Sequence, residues 1–85
     1  LPKTVFTGAH RHLVEVLVEA RRAAGLNQTQ VGGRVGKGQS FISLIEQSQR
    51  RVDVLEFVAI ARAIGEDPVE LFAKVVTRLP KRFDI

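Results

Sequence analysis

Two tetrapeptides, Asp53-Val54-Leu55-Glu56 and Asp67-Pro68-Val69-Glu70, limit this chain more than any other feature. Each sets an acidic residue ahead of an apolar run with a glutamate three positions on. In that pattern the first side chain accepts free N–H groups at a helix start, and the glutamate reaches back to the cap's own N–H. The second adds proline at the first helical position, where a missing N–H costs nothing. One helix is therefore expected from here to about Ile64, stopped by Gly65, with Val54, Phe57, Val58, Ala61 and Ile64 inward. The next runs from Pro68 to about Thr77 with Leu71, Phe72 and Val75 inward, and Pro80 keeps it from continuing far.

Upstream, Leu13, Leu17, Ala20 and Ala24 recur at the spacing of one helical stripe over residues 9–24, with Gly25 as the stop. Asn27 precedes a shorter helix over 28–35 as its N-cap; Val31 and Val35 are its apolar pair, and Gly32 and Gly33 weaken it. Gly36 ends it. A third helix over 39–47 points Ile42 and Ile45 inward. No stretch alternates with period two and no internal repeat is present, so the expected architecture is all-α, one compact domain of five helices.

Composition narrows the class. A chain of 85 residues fits one domain, and without cysteine neither a disulfide nor a thiolate metal site can staple it. No run approaches the roughly 18 apolar residues of a membrane span, and the stretch from Leu1 to His12 lacks the apolar centre of a secretory signal. The expected setting is the cytoplasm, with no membrane partner. Opening on Leu1-Pro2 without any methionine, the chain reads as a trimmed piece: a flexible segment over 1–8, the domain over 9–77 and a tail over 78–85. The net charge is +4 and the pI about 10.4, which suits a polyanionic partner. The excess is local. Residues 1–42 carry six basic side chains (Lys3, Arg11, Arg21, Arg22, Arg34, Lys37) against two acidic ones (Glu15, Glu19), with Arg50 and Arg51 just beyond.

A short helix, a glycine turn and a second helix form the unit that sets its second helix in the DNA major groove. It needs a small residue where the helices touch (Gly32), a turn residue tolerant of positive φ (Gly36) and branched anchors on the second helix (Ile42, Ile45). All stand at the required spacing. The stretches Gly25-Leu26-Asn27-Gln28-Thr29-Gln30-Val31 and Gly36-Lys37-Gly38-Gln39-Ser40-Phe41-Ile42-Ser43-Leu44-Ile45-Glu46 resemble the phage-repressor (Cro/Xre) helix-turn-helix family over residues 12–73.

The resemblance implies a lambda-repressor-like five-helix fold, a homodimer, and a transcriptional regulator, in the main a repressor, whose third helix reads double-stranded DNA. By position it implies that Gln28 contacts a phosphate and braces Gln39, and that Gln39, Ser40, Ser43 and Leu44 face base edges. It further implies that Gln47, Gln49, Arg50 and Arg51 hold the backbone, that Lys37 is among the DNA-binding residues, and that Arg21 pairs with Glu46. Two positions depart from the pattern: Leu44 stands where a long polar side chain is usual and can at most touch a thymine methyl, and Ser48 replaces the glycine that usually closes the third helix. The residues point the same way without the family. Glutamine at the start of a recognition helix can pair N6 and N7 of adenine, and arginines beside it supply sequence-independent attraction to phosphate.

Other chemistries fare worse. The glycine run from Gly32 to Gly38 has three residues, not four, between its first glycine and Gly36-Lys37, lacks the Ser/Thr that follows in a phosphate loop, and has no strand before it. His10 and His12 point about 200° apart on a helix, so they read as solvated or tag-like side chains and not as a metal site. No serine or carboxylate has an evident base partner, so no enzyme and no cofactor is expected. The rival reading is an antitoxin or protein-interaction module on the same scaffold, with a toxin as partner and only Arg78 to Ile85 available for it. For the homodimer, Val14, Val18, Val76, Leu79 and Phe83 look like apolar surface beyond the needs of the core, the alternative being a tail folded back over its own first helix.

Overall fold

The computed structural model describes residues 8–84, so all of the 1–8 segment except Gly8, Lys3 included, lies outside the described residues, as does Ile85. Five helices follow in order: α1 His10–Ala23, α2 Gln28–Arg34, α3 Gln39–Glu46, α4 Val54–Ile64 and α5 Pro68–Arg78. Each gives one apolar stripe to a single core: Val16, Leu17 and Ala20 from α1, Val31 from α2, Ile42 and Ile45 from α3, Phe57, Ile60, Ala61 and Ile64 from α4, and Leu71 and Val75 from α5. Burying a side chain of this size contributes about 1.5–3 kcal/mol. With no cysteine, that packing holds the fold.

The caps form where the acidic and amide residues stand. Asp53 accepts from the Glu56 N–H at 2.7 Å, and Glu56 returns a bond to the Asp53 N–H at 3.0 Å. Asn27 and Gln30 make the same reciprocal pair on α2, at 2.8 and 2.9 Å. Asp67 instead takes both the Val69 and Glu70 N–H groups, at 2.8 and 3.2 Å, and the glutamate does not complete a box. Its backbone ψ is 121°, against 173° at Asp53, which aims the cap N–H elsewhere.

Four helices end alike. At α1, α2, α3 and α4 the chain turns through a left-handed residue, at Gly25, Gly36, Ser48 and Gly65, whose N–H and its successor's bond back to the last turn. At α3 these bonds run from Ser48 N–H to Ile45 O (3.0 Å) and from Gln49 N–H to Leu44 O (2.8 Å). Ser48, at φ 59°, is the single non-glycine residue with positive φ among the described residues.

Several inward assignments differ from expectation. Val54 is 76% exposed and Phe72 47% exposed, Val58 is half-buried, and Ala24 lies outside α1 in solvent; Val16 and Ile60 join the core instead. Val54 is the first residue of α4 and projects past the end of the core, whose stripe begins one turn later at Phe57. Phe72 sits one step round the helix from Leu71, about 100°, and covers the core rim with its ring edge-on to Phe57, centroids 5.5 Å apart at 80°. Val14 is not spare surface either. It is buried within the single chain, Val18 is half-buried, and Leu79 packs against the core, while Arg78 ties the end of α5 to Glu19 of α1. Val76 and Phe83 do remain exposed.

Candidate nucleic-acid interface

The site begins with how closely α2 meets α3. A Cβ at Gly32 would overlap the Gly38 carbonyl and lie 3.1 Å from the Gln39 N, so only glycine lets the two helices approach this far. Gly36, at φ 74°, makes the turn between them. Ile42 and Ile45 pin one side of α3 in the core, which turns the opposite side outward: Gln39, Ser40, Leu44 and Gln47 are exposed, with Ser43 half-buried among them.

Behind that face runs a connected polar chain. Arg21 grips Glu46 through Nε at 2.6 Å and Nη2 at 2.9 Å, and its Nη1 donates to the Leu26 carbonyl at 2.8 Å. The two side chains are 12% and 11% exposed, and hydrogen bonding to Glu46 raises the Arg21 pKa above its ordinary value. Gln28 donates at 2.9 Å to Glu46 Oε1, the oxygen that also accepts from Arg21 Nη2, and Gln39 donates to Gln28 at 2.7 Å. Three residues, one from each of three helices, thus hold Gln39, the first side chain of α3, in one place. A turn further on, Gln47 donates to the Ser43 hydroxyl at 2.7 Å.

The loop after α3 separates its two arginines. Arg50 folds back: its guanidinium stacks 4.7 Å from the Phe41 ring centroid, donates to both Glu56 oxygens at 2.9 and 2.8 Å, and reaches the Arg51 carbonyl at 2.9 Å. The pairing raises the Arg50 pKa and, with Arg50 as the largest cause, lowers that of Glu56. Lys37 is exposed, its Nζ 5.7 Å from the same ring. Gln49 and Arg51 are exposed. From α1, His10 accepts the Val52 N–H at 3.1 Å on its Nε2, so it is a structural contact to this loop and not the solvated or tag-like side chain expected. Burial and, second, the charge of Arg51 lower its pKa. His12 does have an acidic neighbour, with Nδ1 3.7 Å from Glu15.

A helix-turn-helix domain model matches residues 12–73, most of the chain. The chain belongs to the Cro/Xre-type helix-turn-helix family. That family consists of DNA-binding transcriptional regulators and not of enzymes. An XRE-family like protein from Pseudomonas syringae is similar in structure at a TM-score of 0.78 and 42% identity, covering 85% of this chain and 88% of that one. The restriction-modification controller protein C.AhdI from Aeromonas hydrophila gives 0.66 and 30% identity, over 75% and 91%. In sequence, the uncharacterized HTH-type transcriptional regulator y4dJ of Sinorhizobium fredii is 37% identical over 51 residues, 60% of this chain; the match spans 66% of that protein's length.

Within this Cro/Xre fold, every residue expected to face DNA lies on α3, at the start of α2, in the turn or in the loop after α3. The structure brings Gln28 to Gln39, Ser43 to Gln47, and Lys37 and Arg50 to one aromatic ring. Sequence reasoning missed the Gln28 bond to Glu46, the Glu56 hold on Arg50 and the two cations, Lys37 and Arg50, over the Phe41 ring. An arginine six residues before the glutamate of a capping box was the available signal for the second. Among the described residues there is no helix long and apolar enough to cross a membrane, and no cluster of three or more His, Cys, Asp or Glu placed to hold a metal.

Proposed function

We propose that the protein is a sequence-specific transcriptional repressor, acting in the cytoplasm as a homodimer that lays one α3 from each subunit into successive major grooves of duplex DNA. One observation carries the reading: Gln39 is exposed at the first turn of α3 yet held at 2.7 Å by Gln28, a base-reading side chain set in place before DNA arrives. In this reading Gln39 pairs with adenine, Ser40 and Ser43 reach neighbouring base edges, and Leu44, 46% exposed, touches a thymine methyl. Gln28, Lys37, Gln47, Gln49 and Arg51 contact phosphates. Arg50, gripped by Glu56 and Phe41, shapes the loop that presents them.

Two-fold association is supported by the apolar surface left on α4 and α5. Val54, Leu55, Val69, Phe72 and Val76 are all exposed, and Val54, Val69 and Phe72 line a groove of about 360 Å³ between the starts of the two helices. An isologous contact there, extended by the exposed Val76 and Phe83, fixes the spacing of the two recognition helices.

Selection from random duplex DNA tests the reading. A recoverable consensus is expected, with affinity falling steeply with salt. Gln39→Ala should lose about 1–3 kcal/mol on the selected site and little on random DNA, whereas Arg51→Ala should weaken both alike and flatten the salt slope. No enrichment, or equal losses for Gln39→Ala on the two DNAs, refutes the assignment.

A further inference from the structure

Glu46 lies behind the reading face, and we infer that this carboxylate dictates which base Gln39 accepts. The inference rests on the DNA reading above. A carboxylate only accepts hydrogen bonds and a guanidinium only donates them. Arg21 supplies two of the donors to Glu46, and Gln28 supplies the third at 2.9 Å. Gln28 must therefore turn its amide nitrogen inward to Glu46 and its oxygen outward. That oxygen lies 2.7 Å from the Gln39 amide, which in turn must present nitrogen.

One N–H of Gln39 is then occupied, and what it offers the groove is a carbonyl oxygen beside its second N–H. Adenine presents the complement, a donor at N6 and an acceptor at N7; guanine presents acceptors at both O6 and N7. A glutamine not constrained from behind has no such bias. Rotated by 180°, the Gln39 amide would accept from Gln28 and bring its nitrogen to the place its oxygen now holds, a donor that suits the O6 of guanine and opposes the N6 of adenine. Every polarity in the chain from Arg21 to Gln39 is thus set from its buried end. Glu46 is a positioning residue that selects adenine through two intervening amides without touching DNA.

The test compares two ways of losing the ion pair. Arg21→Gln removes the pair but leaves an acceptor-only group behind Gln28; Glu46→Gln removes the pair and the polarity together, since its amide can face Gln28 with either end. The contacted base pair is first located as the one whose preference disappears in Gln39→Ala. Binding is then measured on two operators differing only by adenine or guanine there, so a general loss of stability or affinity cancels in the ratio. The wild type and Arg21→Gln should favour adenine by roughly tenfold or more, the scale of one bidentate base contact, and Glu46→Gln by less than about threefold. The double variant Arg21→Gln/Glu46→Gln, which leaves no unpaired buried charge, should behave as Glu46→Gln does and covers the case in which that single variant fails to fold.

Loss of the preference in Arg21→Gln as well would make the pair merely structural and overturn the inference. So would its retention in both variants carrying Glu46→Gln, or a located base other than adenine in the wild type. A wild type that enriches no sequence at all defeats the DNA reading itself, and the inference with it.

Discussion

Ser48 is the position where this fold departs from its own rule. The ends of α1, α2 and α4 give the left-handed position to glycine, whereas α3 gives it to Ser48 at φ 59°. A residue with a Cβ in that region pays about 1–2 kcal/mol relative to the right-handed helix. Glycine removes that strain but widens the unfolded ensemble by about 0.4–1 kcal/mol. The difference leaves Ser48→Gly more stable by about 0.5–1 kcal/mol, and both bonds that close α3, at 3.0 and 2.8 Å, involve only backbone atoms and survive the change. For a domain of this size the melting temperature should rise by roughly 2–8 °C. Urea unfolding is the direct assay: the midpoint should shift upward at constant slope. Ser48→Ala separates conformation from side-chain loss, because it deletes the hydroxyl while keeping the Cβ. If Ser48→Ala stabilises as much as Ser48→Gly, or if Ser48→Gly is no more stable than the wild type, the strain argument is wrong.

Three further outcomes follow from the packing and the charges. Gly32→Ala should destabilise by about 2–3 kcal/mol, since the new methyl meets the backbone of Gly38 and α3 must move away; a urea midpoint close to wild type would show that the helices are not held at contact. His10 is neutral when it accepts the Val52 N–H, and its pKa in the folded state is below the ordinary value near 6.5. The unfolded chain therefore binds more protons in that interval, so this contribution is whole above about pH 6.5 and is lost as pH falls towards the folded value; equal losses between pH 7.5 and 5.5 in the wild type and His10→Gln would rule this out. Val69→Lys, at a site 79% exposed, should leave the monomer folded but shift sedimentation towards monomer and weaken binding to a full operator; unchanged sedimentation of a dimeric wild type would remove the α4–α5 face from the interface.

Helix starts and stops were the most legible part of the fold because they depend on neighbours in the chain. Asp53, Asp67 and Asn27 cap where they stand, and the stops at Gly25, Gly36 and Gly65 all take positive φ. Periodicity also shows which stripe of a helix is apolar, but not where the core ends. Val54 lies on the same stripe as Phe57 and is still exposed, because it is the first residue of α4 and the buried part of the stripe begins at Phe57. Val14 illustrates the reverse. Its row beside Leu13 and Leu17 looks superfluous until α5 returns along α1, a contact between segments about 60 residues apart, as the Arg78 to Glu19 bonds record.

The site divides along the same line. Gln39 and Gly32 can be placed from spacing alone, since a helix-turn-helix admits few residue types at those positions. Arg50 and Arg51 cannot be told apart in that way: adjacent and chemically identical, both read as phosphate contacts. What separates them is a direction of the backbone after Ser48, which turns one guanidinium onto Phe41 and Glu56 and leaves its neighbour exposed. The turn closing α3 therefore gives two adjacent, identical cations different surroundings. An ion pair between two half-buried side chains near the surface contributes little to stability by itself, so the consequence of the Arg50 to Glu56 bond lies in geometry. It ties the loop at both ends, with the Glu56 that caps α4 and the Phe41 of α3 joined through a single guanidinium. In the proposed reading, phosphate attraction is then exerted from a frame fixed to the same helix that carries Gln39, the arrangement by which sequence-independent contacts set the register for sequence-reading ones.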